Sequence, residues 1–313
     1  MSGTAHPTEP DWIEGLPLPR EQTKLVGHAD VARELHEAYR SGRMHHAVLL
    51  TGPKGIGKAT LAFRFARFAL SHPDPAAAPP AEGDPLSPVD SRVGGQVSAG
   101  AHPNILHLKR PYDEKDKKLK TVLTVDEVRR SVPFFGSSAG GRGYRIAIVD
   151  AADDMNPQAA NALLKLLEEP PSRAFFLVLS HAPGSLLPTI RSRCRRMPLT
   201  PLDADEIDAA VTTLGLSVEE GDKPALAAIS EGSVRRACEL IESDGLELYR
   251  AFQSLTEALP ALDRTALHRF AERAGGGRRG DATLGLVADL ARGWLSERIR
   301  SGLGEPVARL QRY

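Results

Sequence analysis

Gly52, Gly55, Gly57 and Lys58 stand in the segment GPKGIGKAT, between an apolar run and a helical pattern. Gly52 and Gly57-Lys58 have the spacing of a phosphate-binding loop. Its glycines let backbone N–H groups wrap around phosphate oxygens. Lys58 can reach the β and γ oxygens, and the helix that follows adds its positive end. An incidental lysine in a Gly-rich turn accounts less well for this strand–loop–helix setting. One position fails. The residue after the lysine ordinarily supplies a hydroxyl to Mg²⁺, and here it is Ala59. Thr60 comes next, but one step along a helix turns a side chain by about 100°. Thr60 is therefore expected to point elsewhere.

A second acidic motif is also incomplete. The apolar run YRIAIVD ends in Asp150, a residue suited to holding Mg²⁺ through water. Where a glutamate would activate the attacking water, the sequence has Ala151. Asp153 and Asp154 follow; the structural reading of Asp153 is a helix-entry cap. With Ala59 and Ala151 both lacking a functional group, the expectation is a nucleotide-binding fold with weak ATP binding at most, no longer used for hydrolysis.

These residues need a scaffold that brings strand ends together. HAVLLT (46–51), Asn104 to Leu108, YRIAIVD (144–150) and AFFLVLS (174–180) read as strands. A helical pattern at 30–40 precedes the first strand, and others at 60–70 and 156–169 lie between strands. Apolar strands alternating with helices predict a parallel sheet covered on both faces. Asn161 to Pro171, NALLKLLEEPP, is an amphipathic helix stopped by prolines. Glu168 and Glu169 at its C-terminal end oppose the helix dipole, so another group is expected to fix them there. Thr124 with Glu127 has the pattern of a capping box, and GSSAGGRG (136–143) that of a turn. Residues 73–90 carry six prolines and read as a flexible surface insertion. The charged stretch KRPYDEKDKKLK reads as a solvated excursion. From Thr200 short helical patterns replace strands. The expected organisation is a flexible arm over 1–19, a P-loop domain over 20–198, a helical lid over 199–243 and a helical C-terminal domain over 244–313.

The 313 residues suit two or three domains. Forty Lys and Arg balance forty Asp and Glu, so no overall electrostatic grip on nucleic acid is implied. Cys194 and Cys238 are the only cysteines, which excludes a disulfide framework and an all-cysteine zinc site within the chain. The polar, acidic start is unlike a secretory signal, and no apolar run reaches membrane-span length. A cytoplasmic location is the expectation.

NALLKLLEEPP, the strand AFFLVLS and then TIRSRC (189–194) closely resemble bacterial clamp-loader AAA+ subunits. LVGH (25–28), GRMHHAVLLTGP (42–53) and EGSVRRA (231–237) fit the same group, and the resemblance covers residues 20–240. It implies an AAA+ α/β domain, a small helical lid and an all-helical oligomerisation domain. It also implies that Arg193, in Ser192-Arg193-Cys194, acts in trans on the ATP site of an adjacent subunit. The competing reading of RSRCRR is a basic strand edge or a nucleic-acid patch. Arg235 corresponds to a nucleotide-facing arginine of the lid, against the reading of a surface helical arginine. Ser180 or His181 falls at the polar sensor position that ends a central strand.

A broken ATP site beside a retained Ser-Arg-Cys matches the delta-prime type within this group. The resemblance thus implies a stator-like role within a DNA polymerase III holoenzyme. The implied partners are ATP-hydrolysing motor subunits, a delta subunit, the sliding clamp and primed DNA, reached indirectly or through phosphates. Relatives often carry a four-cysteine zinc module after the P-loop helix; residues 71–104 have no cysteine, so no zinc is expected. The alternative is an ATP-hydrolysing motor or a related repair ATPase, with Thr60 and Asp153 or Asp154 filling the vacant roles.

Overall fold

The computed structural model describes residues 8–10, 12–136, 143–243, 245–259, 263–275 and 280–302. They divide into two compact units. One is drawn from Met1–Gly215 and Gly232–Arg235, the other from Leu216–Glu231 and Arg236–Tyr313. Most of the turn expected over 136–143, and the last residues of the chain, lie outside the described residues.

The first unit is built on a sheet of five parallel strands. In chain order the elements are α1 (Ala29–Arg40), β1 (Ala47–Thr51), α2 (Lys58–Ser71), α3 (Ser91–Ser98), β2 (Ile105–Lys109), a two-stranded hairpin of β3 (Tyr112–Asp113) and β4 (Lys118–Leu119), α4 (Val125–Arg129), α5 (Ser131–Gly136), β5 (Arg145–Asp150), α6 (Pro157–Glu168), β6 (Ala174–Ser180), α7 (Pro188–Arg191), β7 (Arg195–Pro198) and α8 (Ala204–Thr213). The sheet order is β2-β5-β6-β1-β7. β6 therefore separates the strand that feeds the P-loop from the strand that ends in Asp150. This is the parallel α/β sheet that the alternating apolar strands and helices predict. Every residue of β1 and β6 is buried, as an unbroken apolar run covered on both faces requires. The register pairs Thr51 with Ser180, so β1 and β6 end level with each other. Parallel sheets bind ligands beyond such carboxyl ends.

α6 shows why its sequence is helical. The Asn156 side chain caps it by accepting from the Ala159 N–H at 2.8 Å, and Pro157 occupies the first turn. Ala159, Leu163 and Leu167 face the core. Thr124 does precede α4, but its side chain makes no capping bond, and Glu127 pairs with Arg130 instead. The ion pair competes for the glutamate that the reciprocal box would need.

The Pro-rich stretch is more tied down than its composition suggests. Leu86 and Ala78 are buried. His36 Nε2 donates to the Pro79 carbonyl at 2.8 Å, Arg40 donates to Ala78 at 3.2 Å, and Arg64 pairs with Asp84. α3 follows, with Asp90 accepting from the N–H groups of Arg92 and Val93. Prolines restrict the chain before it folds, and buried side chains from α1 and α2 then hold it.

The second unit contains α9 (Lys223–Ser230), most of α10 (Val234–Glu242), α11 (Gly245–Glu257), α12 (Arg264–Gly275) and α13 (Gly280–Gly302). Leu248, Leu255, Phe270 and Ala274 form its core, with Phe252 and Leu286 packed against them. Among the described residues no helix is long and apolar enough to cross a membrane.

Candidate functional site

The P-loop leaves β1 at Gly52 and enters α2 at Lys58, whose N-cap is Gly57 with φ of 104°. Gly52 has φ of 147°, and a Cβ there would lie 2.5 Å from the Leu199 carbonyl oxygen. The chain leaving β7 passes over this point, and Leu199 N–H donates to Thr51 at 2.7 Å. Gly55, at φ of 80°, is approached even more closely: a Cβ would meet Ser233 Oγ at 2.3 Å and Arg235 Cβ at 2.6 Å. Both glycines are thus required by backbone angle and by space.

Lys58 is buried. Its ammonium donates to the carbonyls of Gly52 at 2.7 Å and Pro53 at 2.5 Å. The cation therefore lies inside the loop, bonded to its own carbonyls. Ala59 offers no hydroxyl. Thr60 points away, donating to Gln22 Oε1 at 3.4 Å. His28, next to α1, reaches the loop from the other side: Nε2 donates to the Ile56 carbonyl at 2.6 Å.

Asp150 lies at the end of β5 and is buried. Burial alone would raise its pKa, but His107 Nε2 at 3.4 Å, His181 and Lys58 outweigh that and hold the carboxyl low. It is therefore an anion facing the lysine end of the loop. Ala151, also buried, follows it. Asp153 is occupied: it accepts from Ser180 Oγ at 2.7 Å and from the backbone N–H groups of His181 at 2.5 Å and Ala182 at 3.2 Å. Asp154 pairs with Arg110 at 3.1 Å.

Of the two sensor candidates, Ser180 is wholly buried and spent on Asp153. His181 is the one exposed to the charges of the site. Burial pushes its pKa down to about 4, Lys58 adds to this, and Asp153 and Asp150 oppose it. Arg235, the second residue of α10, lies against the P-loop. Its N–H donates to Gly55 at 3.2 Å, and Ser233 Oγ donates to Lys54 at 2.9 Å. Its guanidinium reaches the Pro10 carbonyl at 3.5 Å. Residues 9 and 10 thus stand at the same mouth, where Glu9 pairs with Arg20 and Lys109. A small pocket between them is lined by Glu9, Pro10, Phe63, His107 and Asp150.

Arg193 is not part of this cluster. It follows α7, is a third exposed, and pairs with Glu168 at 2.8 Å while donating to the Thr189 carbonyl at 3.1 Å. Its neighbours are committed locally: Arg195 pairs with Glu34 at 2.6 Å, and Arg196 donates to Thr51 at 3.3 Å. Burial raises the Cys194 thiol to about 12, which leaves it unreactive. No group of three or more metal-ligating side chains occurs among the described residues. The P-loop, Asp150, His181 and the start of α10 are brought together, while Arg193 stands apart. His28, His107 and Glu168 were given no site role by their spacing. The unfavourable position of Glu168 on α6 was the one advance signal among them.

Residues 27–203, more than half of the chain, match the family model described as DNA polymerase III, delta subunit. The chain belongs to this family. Within it, DNA polymerase III subunit delta' of Pseudomonas aeruginosa is 39% identical over 149 residues, which cover 48% of this chain and 41% of that protein. The subunit of the same name from Escherichia coli is 32% identical over 234 residues, covering 72% of this chain and 62% of that protein. The match to each spans less than two thirds of the relative's own length. The chain is a delta-prime-like member of the bacterial clamp-loader family.

Proposed function

We propose that this chain is a stator-like subunit of a bacterial clamp loader. Its own ATP site is degenerate, and its Arg193 acts on the ATP site of an adjacent motor subunit. The observation that carries this reading is the fate of the three possible substitutes. Thr60 is turned to Gln22, Asp153 is spent on the end of β6, and Asp154 is paired with Arg110. Neither the metal-binding hydroxyl nor the water-activating carboxylate is replaced, so the alternative of a hydrolysing motor lacks its groups. Lys58, Gly52, Gly55, Gly57, Asp150 and Arg235 remain as the frame of a nucleotide site with weak affinity at most, and no cofactor is required.

Arg193 supplies what a neighbour could use. A guanidinium approaching the γ-phosphate stabilises charge that develops during transfer, and a residue on a surface helix end can enter a facing site. The helical second unit would hold the subunit in a ring with motor and delta subunits. The ring would open a sliding clamp and place it on primed DNA in the cytoplasm, with any DNA contact by this chain made to phosphates. The test is Arg193→Ala in the reconstituted loader. Clamp-stimulated ATPase activity should fall by about 10²-fold or more, as loss of such a group does elsewhere. Unchanged activity would overturn the reading.

A further inference from the structure

α6 ends in a way that helix stability does not explain. Glu168 is its last residue and Glu169 its C-cap, both at the negative end of the helix dipole. Glu168 meets Arg193 at 2.8 Å, with the two side chains 42% and 36% exposed. A pair this open to water stabilises a fold only slightly, by about as much as the dipole penalises the glutamate. Stability therefore gives no reason for a carboxylate at this position.

Geometry gives one. Arg193 Nη1 donates to the Thr189 carbonyl at 3.1 Å, within the turn of α7. Nη2 is held by Glu168, on a different helix that packs against α7. A guanidinium is a rigid planar fork with five N–H donors. Fixing both terminal nitrogens from two separate elements sets the plane of the fork and leaves further donors for an anion.

We propose that Glu168 is a positioning residue for Arg193. It holds the guanidinium, before any partner arrives, in the orientation that meets the phosphates of a nucleotide bound by an adjacent subunit. The inference rests on the trans-acting reading of Arg193. Preorganisation of this kind speeds the chemical step more than it tightens nucleotide binding, because the ordering of a long side chain has been met in advance.

The experiment is a double-mutant cycle in the reconstituted loader with full-length chains: parent, Glu168→Gln, Arg193→Ala and the double variant. ATP turnover is followed with clamp and primed DNA across an ATP series. Glu168→Gln should lower kcat by about three- to tenfold with KM for ATP within about twofold, and should have no further effect once Arg193 is alanine. Glu168→Asp, which keeps the charge, should recover part of the loss, and the melting temperature of each subunit alone should stay close to the parent's. Full kcat in Glu168→Gln, with Arg193→Ala impaired, overturns the inference and leaves the trans-acting reading intact. An equal loss in both backgrounds also overturns it, since Glu168 would then act independently of Arg193. If Arg193→Ala itself leaves turnover unchanged, the trans-acting reading falls first.

Discussion

Asp153 accepts the Ser180 hydroxyl at 2.7 Å and so ties the turn after β5 to the end of β6. Two backbone N–H groups, of His181 and Ala182, point at the same carboxylate. The Ser185 hydroxyl donates as well, at 3.4 Å, and an acid engaged by four donors is a structural clamp and a poor base. Asp153→Asn loses the charge that strengthens these bonds and should cost about 1–3 kcal/mol of stability. Urea unfolding measures this. An unfolding curve that matches the parent's would show that Asp153 does not clamp these two turns together.

The isolated chain should hydrolyse ATP no faster than buffer. Ala59→Ser restores a hydroxyl beside Lys58 but leaves no carboxylate to activate water. Ala151→Glu does the reverse. Each single substitution fills one of two roles that act as a unit, and such roles are strongly non-additive. Both variants should therefore stay at background in a steady-state phosphate-release assay. Robust turnover by the parent would point instead to a motor subunit.

Much of this site was legible because its parts are local. β6 is an unbroken apolar run that can only be buried, and Gly52 to Lys58 is a contiguous loop between a strand and a helix. The rotation of Thr60 away from the site follows from helix geometry alone. What was hidden depends on residues far apart in sequence. No spacing rule joins Glu168 to Arg193, or His107 to Asp150. Local chemistry was also ambiguous where a side chain had two partners to choose from. Glu127 has the position of a capping-box member, but Arg130, the C-cap of the same helix, takes its carboxylate. The hairpin of β3 and β4 is so rich in charge that it has no apolar alternation to announce it. α3 contains Gly94 and Gly95, which lower helix propensity, and depends on the Asp90 cap.

His181 makes stability depend on pH in a defined direction. Its folded pKa of about 4 lies below the ordinary 6.5, chiefly because of burial and then Lys58. The unfolded chain therefore takes up the proton first as pH falls. The stability owed to neutral His181 is fully present above pH 6.5 and is lost progressively down to about pH 4. His181→Asn should flatten this part of the curve. His28, His46 and His102 are also held low by burial. The difference between variant and parent is thus the informative quantity, read from urea unfolding at several pH values. Parallel curves through the window would show that His181 does not titrate there.

The Pro-rich segment offers a contrast between composition and packing that can be measured. A free surface loop would tolerate almost any substitution, because its side chains meet only water. Leu86 is fully buried within it. Leu86→Ala removes a packed side chain and leaves a cavity, which costs about 2–5 kcal/mol in a well-packed core. Pro85→Ala changes the neighbouring residue without emptying that core position and should have a much smaller effect. If Leu86→Ala is as mild as Pro85→Ala in urea unfolding, and limited proteolysis cuts the 73–90 stretch readily in the parent, the segment is a loose insertion after all. The contacts of Leu86, His36, Arg40 and Arg64 lead to the opposite expectation: a steep loss of stability and a parent segment that resists cleavage.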